Sequence, residues 1–143
     1  MKVEVFCDGA SRGNPGEAGI GVVIRSHEKK ILLEVSDYIG KTTNNIAEYM
    51  ALIRGLEEAL LLGASEASFF CDSELLVKQI NGEYKVKNEG LKPLYLHALS
   101  LIKKLKKFKI QHTFREKNIH ADELANRGID RHSLKDSPLF GKM

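Results

Sequence analysis

The chain has 143 residues, of which 43% are hydrophobic and 29% are charged, and its formal net charge at pH 7 is +3. This balance is typical of one folded globular domain and excludes a disordered or fibrous segment. The longest apolar runs fall far short of the roughly 20 residues that span a bilayer, so we expect no membrane partner. Because the N-terminal residues show a strand pattern rather than a signal-peptide pattern, we expect a cytoplasmic protein. We also expect the protein to be a monomer.

The first third of the sequence predicts three strands joined by short polar connections. Alternation over residues 2–8 predicts the first strand, which ends at Asp8. The segment 8–19 is rich in Gly, Asn, Ser and Pro and predicts a turn. Residues 20–25 and 31–38 predict the second and third strands. Successive strands without an intervening helix indicate an antiparallel meander.

The rest of the sequence alternates between helical and strand patterns. Helices are predicted over residues 46–62, 75–80 and 121–128. A further helix is predicted from Pro93, with an apolar stripe that reaches Phe108. Strands are predicted over residues 68–71 and 109–114. Crossovers between such strands give parallel pairing. The predicted fold class is therefore α/β, with a five-stranded mixed sheet of three antiparallel strands followed by two parallel strands, flanked by helices. We expect one domain over residues 1–128 and a loose tail over residues 129–143.

The two cysteines, Cys7 and Cys71, fit neither a Cys-x-x-Cys redox motif nor a zinc pattern. Both lie in apolar strand patterns, which favours buried free thiols. Each directly precedes an aspartate at the end of a predicted strand, so we expect the two side chains to lie near each other on one face of the sheet. A reducing cytosol would keep them as thiols.

Lysines are concentrated in the second half of the chain, and two interpretations of them stay open. Five lie within seven residues and three lie upstream: Lys103, Lys104, Lys106, Lys107 and Lys109, with Lys85, Lys87 and Lys92. On composition alone, a solvated helix face is favoured over a patch that binds nucleic acid.

Four acidic residues at the ends of predicted elements are candidate metal ligands: Asp8, Glu48, Asp72 and Asp122. Each also has a structural alternative. Asp8 and Asp72 could cap the following turn or helix, Glu48 could close a capping box with Asn45 as N-cap, and the helix dipole favours Asp122. If the four carboxylates converge at one edge of the sheet, their mutual repulsion requires cations, and hard oxygen ligands favour magnesium or manganese. Two such ions suit phosphodiester hydrolysis.

The motifs in the sequence resemble those of type 1 ribonuclease H. The matching residues, spread from Val3 to about Gly128, are Asp8-Gly9-Ala10, Gly13-Asn14-Pro15-Gly16, Thr43-Asn44-Asn45 with Glu48, Asp72-Ser73, Asn118 and Ala121-Asp122-Glu123-Leu124-Ala125. Each motif is weak alone, and the ordered set is specific. The resemblance implies the ribonuclease H-like fold.

The resemblance also implies an endonuclease that hydrolyses the RNA strand of an RNA–DNA hybrid by a two-metal-ion mechanism, with Mg²⁺ or Mn²⁺, and leaves 3′-hydroxyl and 5′-phosphate ends. It assigns catalysis and metal binding to Asp8, Glu48, Asp72 and Asp122. It assigns contact with the RNA strand to Gly13, Asn14, Asn44 and Asn45. Turn bonding by Asn14 and helix capping by Asn45 are alternatives. Double-stranded RNA stays open as a substrate, and a module that binds hybrids without turnover is the rival function.

The sequence departs from longer members of the family and is similar to their compact bacterial and archaeal form. The loop before Asp122 is short and lacks the family's loop histidine, for which Arg115, Glu116 or His120 would have to substitute. We expect no basic protrusion after residue 80 and no hybrid-binding module before the first strand. The lysines are then explained equally well by attraction to phosphate and by a solvated face.

Overall fold

Among the residues that the structure describes, five strands form one mixed sheet in the order β3-β2-β1-β4-β5. Strands β1 (Lys2–Gly13), β2 (Gly16–Ser26) and β3 (Ile31–Thr42) are antiparallel neighbours. Strands β4 (Glu66–Cys71) and β5 (Lys107–His112) run parallel to β1. The computed structural model describes residues 1–135. It confirms the predicted α/β class and the division of the sheet into three antiparallel and two parallel strands.

In the described part of the chain, four α-helices accompany the sheet: α1 (Asn44–Leu61), α2 (Glu74–Ile80), α3 (Lys92–Ile102) and α4 (Ile119–Lys135). A 3-10 turn over Arg115–Lys117 precedes α4. Pro93 lies in the first turn of α3, where its missing N–H costs no hydrogen bond. Within residues 1–135, no helix is long and apolar enough to cross a membrane.

The core lies between one face of the sheet and α1. Val5, Leu52 and Phe69 are fully buried there, because alternate residues of the central strands and one stripe of α1 are apolar. On the opposite face, α4 packs against β1, β2 and β3. Gly21 permits this close approach, since a Cβ at that position would overlap the carbonyl oxygen of Ala121. The sheet is thus held between α1 on one side and α4 on the other.

The segment 8–19 is not one long turn, which corrects the prediction from its composition. Strands β1 and β2 stay paired as far as Gly13 and Gly16, and the chain reverses at Asn14 and Pro15, whose peptide bond is cis. Pairing with a neighbouring strand therefore overrides the local turn signal. The prediction placed the hairpin correctly but made its turn too long, because β1 and β2 pair as far as Gly13 and Gly16.

The third helix is shorter than its apolar stripe predicted. It ends at Ile102, and Phe108 lies instead on β5, where its ring centroid is 5.5 Å from that of Phe69. The lysines of residues 103–109 therefore occupy the turn between α3 and β5 and the start of β5. The interpretation of these lysines as one face of a helix is wrong, because a core contact draws Phe108 into the sheet.

The last helix is longer than predicted, and the expectation of a loose tail is wrong for residues 129–135. Ile129 is 1% exposed, and Arg131 donates a hydrogen bond to the backbone carbonyl of Ser36. Packing against the sheet continues the helix where the polar sequence gave little indication of one. Residues 136–143, the remainder of the predicted tail, lie outside the described residues.

Candidate active site

Asp8 and Asp72 lie side by side where the pairing of β1 with β4 ends. Cys7 and Cys71 form the last pair of the parallel ladder, and each aspartate is the next residue along its strand. β1 does not end at Asp8 as predicted, because its pairing with β2 continues to Gly13. Asp8 is 3% exposed. The site is therefore built on a continuous strand, beside the point where its parallel neighbour stops.

Glu48 reaches the same point from the start of α1. A Cβ at Gly9 would overlap the backbone of Ala47 and Glu48, so glycine is required for α1 to lie this close to β1. The Gly9 N–H donates a hydrogen bond to Glu48 Oε1 over 3.3 Å. One carboxylate oxygen from each of Asp8, Glu48 and Asp72 lies within 4.8 Å of the others. The structure thus brings three of the four predicted carboxylates into one cluster.

Asp122 arrives from the first turn of α4. Asn118, just before the helix, is 1% exposed, and its side-chain amide donates a hydrogen bond to the carbonyl of Cys7 over 3.1 Å. The backbone N–H of Asp122 donates to the carbonyl of Asn118 over 3.0 Å. Asn118 therefore ties the start of α4 to β1. The Asp122 carboxylate lines the same cleft as Asp8 and contributes to the raised pKa of Asp8.

The capping alternatives for two of the carboxylates are wrong. Thr43, rather than Asn45, is the N-cap of α1, and its side chain accepts a hydrogen bond from a backbone N–H of the first turn. Ser73, rather than Asp72, caps α2 in the same way. Thr43 is adjacent to Asn44, and Ser73 is adjacent to Asp72. Because these two hydroxyl groups cap the helices, the carboxylates of Glu48 and Asp72 are left to face the cleft.

Burial and mutual repulsion act strongly on the two most enclosed carboxylates. Burial, followed by the charge of Glu48, raises the pKa of Asp8 to about 11. Burial, followed by the charge of Asp72, raises the pKa of Glu48 to about 8, although the Gly9 N–H opposes the shift. Divalent cations would remove this electrostatic cost. The donors are hard oxygens, which Mg²⁺ and Mn²⁺ prefer, so the residues fit such ions.

The carboxylates open into a cleft of about 670 Å³. Of the four residues predicted to contact RNA, Asn44 and Asn45 line this cleft, whereas Gly13 and Asn14 are not among its lining residues. Asn14 Oδ1 accepts a hydrogen bond from the Asn44 N–H over 3.1 Å. Asn14 therefore holds the β1–β2 turn against the start of α1.

Two aromatic side chains line the cleft without having been predicted. His112 is the last residue of β5 and Phe114 lies two residues beyond it, with 5.8 Å between their ring centroids, and Phe114 is 66% exposed. Ligand sites gather at the carboxyl ends of parallel strands. Applied to the end of β5, this rule points to both residues.

Arg12 and Asn126 form a second group that sequence reasoning missed. Arg12 donates a hydrogen bond to Asn126 Oδ1 over 3.2 Å and lies 2.7 Å from a carboxylate oxygen of Asp130. Asn126 in turn donates to the backbone carbonyl of Asp122 over 3.0 Å. The contact joins residues 114 positions apart, and no local pattern in the sequence indicates it.

The structure separates the three candidates for the missing loop histidine. Arg115 lines the cleft, with Nη2 3.9 Å from Asp122 Oδ1. His120 Nε2 contacts a carboxylate oxygen of Glu34 on β3 instead. His120 and Glu116 are not among the residues that line the cleft.

The prediction that Cys7 and Cys71 are buried free thiols near each other is confirmed. Both are 1% exposed, and their sulfur atoms lie 2.9 Å apart without a disulfide. Contact with the Cys7 thiol, followed by burial, raises the pKa of Cys71 well above its usual value. The pair lies directly beneath Asp8 and Asp72 on the core face of the sheet.

Comparisons with known proteins agree with this geometry. A family model described as reverse transcriptase-like matches residues 6–128. A bifunctional protein of Mycobacterium tuberculosis is 44% identical over 131 residues, which cover 91% of this chain and 36% of that protein. The crystal structure of RNase H1 from Halobacterium salinarum superposes with a TM-score of 0.90 and 39% identity, over 92% of this chain and 99% of that one. The structure of LC11-RNase H1 in complex with an RNA/DNA hybrid superposes with a TM-score of 0.87 and 44% identity, over 91% and 98%.

The sheet order, the helices on its two faces and the carboxylates at the end of β4 define a ribonuclease H-like α/β domain. More closely, the chain belongs to the type 1 ribonuclease H family, as the sequence motifs predicted. The chain spans 36% of the length of its mycobacterial relative.

Proposed function

We propose that the chain is a metal-dependent endonuclease that hydrolyses the RNA strand of RNA–DNA hybrids by a two-metal-ion mechanism and leaves 3′-hydroxyl and 5′-phosphate ends. The observation that carries the proposal is the convergence of carboxylates from β1, α1 and the end of β4 within 4.8 Å, with a fourth from α4 beside them. A relative at 44% identity whose structure contains an RNA/DNA hybrid supports this choice of substrate.

In the proposed site, four carboxylates share two cations. Asp8 and Glu48 would hold one ion, and Asp8 would hold the other together with Asp72 and Asp122. When bound, such ions supply positive charge that makes a water molecule more acidic and stabilises the leaving oxygen. Mg²⁺ is the proposed ion, with Mn²⁺ as its replacement, because all the donors are oxygens.

Hydrogen bonds from the chain fix the orientation of these side chains. The Gly9 N–H holds one oxygen of Glu48, and Asn126 holds the backbone of Asp122. A carboxylate that is already oriented needs less rearrangement when charge develops on the substrate. We therefore assign Gly9 and Asn126 a positioning role.

Recognition of the RNA strand is proposed for the four residues that flank the start of α1. Asn44 and Asn45 line the cleft, and their amide groups can both donate to and accept from a 2′-hydroxyl. Gly13 and Asn14 are proposed to approach the same strand from the β1–β2 turn. The 2′-hydroxyl distinguishes RNA from DNA, so cleavage is expected to be confined to RNA.

The proposal is tested with four labelled duplexes of one sequence: RNA–DNA, RNA–RNA, DNA–DNA, and DNA with one embedded ribonucleotide. Each is incubated with the protein in Mg²⁺ and in Mn²⁺, with Asp8→Asn as the control. We expect cleavage of the RNA strand of the hybrid by the native protein and none by the variant. Hybrid binding without cleavage in either metal would contradict the nuclease proposal and favour the binding module, whereas additional cleavage of RNA–RNA would widen the substrate range.

A further inference from the structure

Part of one sheet face lies beside α4 rather than beneath it. We call this surface the open sheet face, and its residues are Phe6, Ser68, Phe70, Lys107, Lys109 and Gln111. Each alternates along its strand with core residues, so all six point away from the core. The three residues from β5 are exposed, and the three from β1 and β4 are half-buried. Three strands of the sheet, β1, β4 and β5, thus present side chains that the helices of residues 1–135 leave accessible.

Aromatic rings lie at the centre of this face. Phe6 and Phe70 stack with 4.8 Å between ring centroids and 18° between ring planes. The guanidinium of Arg25 lies 4.7 Å from the Phe6 ring, and the exposed Gln111 is the register partner of Phe70 on β5. Phe6 is therefore enclosed between Arg25 and Phe70, and Phe70 is the ring beside the exposed strand.

Positive charge collects at one end of the open sheet face. A depression of about 520 Å³ lies at the starts of β4 and β5. The charged residues that line it are Lys2, Lys106, Lys107, Lys109 and Glu66. Glu66 is the single acid in this set, and it lies 3.5 Å from the Lys107 ammonium. Four cations and one anion leave a surplus of positive charge beside the rings.

A second acid beside the open sheet face, Glu4, is already paired with cations. Glu4 Oε1 lies 2.8 Å from Arg25 and 3.0 Å from Lys29. These two cations hold the pKa of Glu4 below its usual value, against the effect of its partial burial. Glu4 and Glu66, the two acids nearest the lysines, are therefore each paired with a cation.

We propose that the open sheet face binds single-stranded nucleic acid, with bases stacked at Phe70 and phosphates held by Lys107 and Lys109. Flat sheet faces with aromatic side chains and flanking lysines bind single strands in this way, because every base has an aromatic face to stack. A duplex hides its base faces and would use only the lysines. The half-buried rings therefore favour a single strand as the partner.

The open sheet face adjoins the cleft. Phe6 precedes Asp8 by two residues on the same face, a distance of about 7 Å along a strand. A single strand that continues beyond a hybrid bound in the cleft could reach Phe70 next and the lysines after it. The inference goes beyond the proposed cleavage activity, and binding of a single strand does not depend on that activity.

The first test measures binding of a fluorescent 12-nucleotide oligouridine to the full chain in EDTA, where no metal-dependent cleavage occurs. We expect the affinity to fall with salt and to be about 5- to 100-fold higher than that of an abasic strand of equal length, because base stacking is lost in the latter. Equal affinity for the two strands would overturn the stacking at Phe70. An excess of blunt hybrid that displaces the oligouridine completely would place the strand in the cleft and overturn the proposal.

The second test compares variants of equal charge. Lys107→Glu with Lys109→Glu is expected to weaken oligouridine binding about tenfold or more. The double variant Lys103→Glu with Lys104→Glu makes the same change of charge in the turn that precedes β5, at positions that do not line the depression. A much smaller loss is expected for it. Equal losses in the two double variants would overturn the proposal. Phe70→Leu keeps an apolar side chain and removes the ring, and a loss of about fivefold or more is expected only for the strand that carries bases.

The third test separates this inference from the proposed function. Cleavage is measured on a blunt hybrid and on the same hybrid with a single-stranded tail at either end. For the native protein, KM is expected to be lower for the tailed hybrid than for the blunt hybrid. In the double variant Lys107→Glu with Lys109→Glu, the ratio of these two KM values is expected to approach one. A ratio of one in the native protein would overturn the inference, whereas failure to cut the blunt hybrid would count against the proposed function alone.

Discussion

The two ends of the paired region of β1 and β4 carry opposite charge. At one end, Asp8 and Asp72 lie in a cluster of carboxylates, and at the other, Lys2 and Lys107 border the depression on the open sheet face. Both are proposed to meet the same polyanion. The acidic end repels phosphate until cations are bound, whereas the basic end attracts phosphate directly and weakens with salt. In this proposal, both ends bind phosphate: the acidic end does so through bound cations, and the basic end does so through its own lysines.

Removal of one charge at the acidic end should have the largest effect. Asp8→Asn is expected to slow hybrid cleavage by about 10³-fold or more, because a ligand of both proposed ions is lost and with it several kcal/mol of transition-state stabilisation. Initial rates at saturating Mg²⁺ measure this. Glu28→Gln makes the same change in the exposed β2–β3 turn and serves as the matched control. Cleavage by Asp8→Asn within tenfold of the native rate would refute its assignment.

Disturbing the geometry of the acidic end without changing its charge should have the next largest effect. Gly9→Ala places a methyl group against the backbone of Ala47 and Glu48, which should displace α1. We expect the free energy of unfolding to fall by about 2 kcal/mol or more, measured in urea, together with a loss of cleavage. Gly90→Ala, whose Cβ would meet only the side chain of Asn88, is the control. Equal stability of the two variants would show that close approach at Gly9 is not required.

The electrostatic cost of the acidic end should appear as a pH dependence of stability in EDTA. The folded-state pKa values of Asp8 and Glu48 are raised, so the folded chain keeps protons that the unfolded chain releases above about pH 4. The free energy of unfolding therefore falls as the pH rises from about 4 towards 8. Asp8→Asn removes one of these groups and should raise Tm at pH 8 by about 3 °C.

Two outcomes decide this prediction. The fall of Tm with pH should be shallower in Asp8→Asn than in the native protein, and parallel curves would contradict the repulsion. Addition of Mg²⁺ should raise the native Tm more than that of the variant, because ligands that bind only the folded state stabilise it by mass action.

The smallest expected effect concerns the contact that joins β1 to α4. Arg12→Gln removes an ion pair with Asp130 in which both side chains are about half exposed, so we expect a loss of about 0.5 kcal/mol. A double-mutant cycle with Asp130→Asn isolates the pairwise term. A coupling above about 2 kcal/mol would show that the ion pair is shielded from solvent, in contrast to its exposure in the structure.

The sequence predicted the elements and the four carboxylates because both have local signatures. Asp72 follows a short apolar run and Asp122 opens a helix, and these positions hold in the structure. Asp8 was placed correctly for a partly wrong reason, since β1 continues past it while β4 stops beside it. Strand ends depend on a neighbour that is distant in sequence, and alternation within one strand does not reveal them.

The remainder of the site depends on contacts that no local pattern encodes. Asn126 is joined to Arg12, which lies 114 residues earlier, and Phe108 leaves its helical stripe to pack on Phe69. His112 and Phe114 were missed although a general rule covers them. Tertiary packing decides these positions, and propensity is only a weak guide where packing competes with it.

The order in which the carboxylates occur along the chain has a consequence for synthesis. Asp8, Glu48 and Asp72 emerge from the ribosome first, whereas Asp122 comes from α4, which also covers Gly21 on the sheet. A nascent chain therefore exposes an incomplete cluster until its last described helix has been made and has docked. Any product interrupted before α4 would carry three carboxylates beside an uncovered sheet, so the proposed nuclease activity would require synthesis through α4.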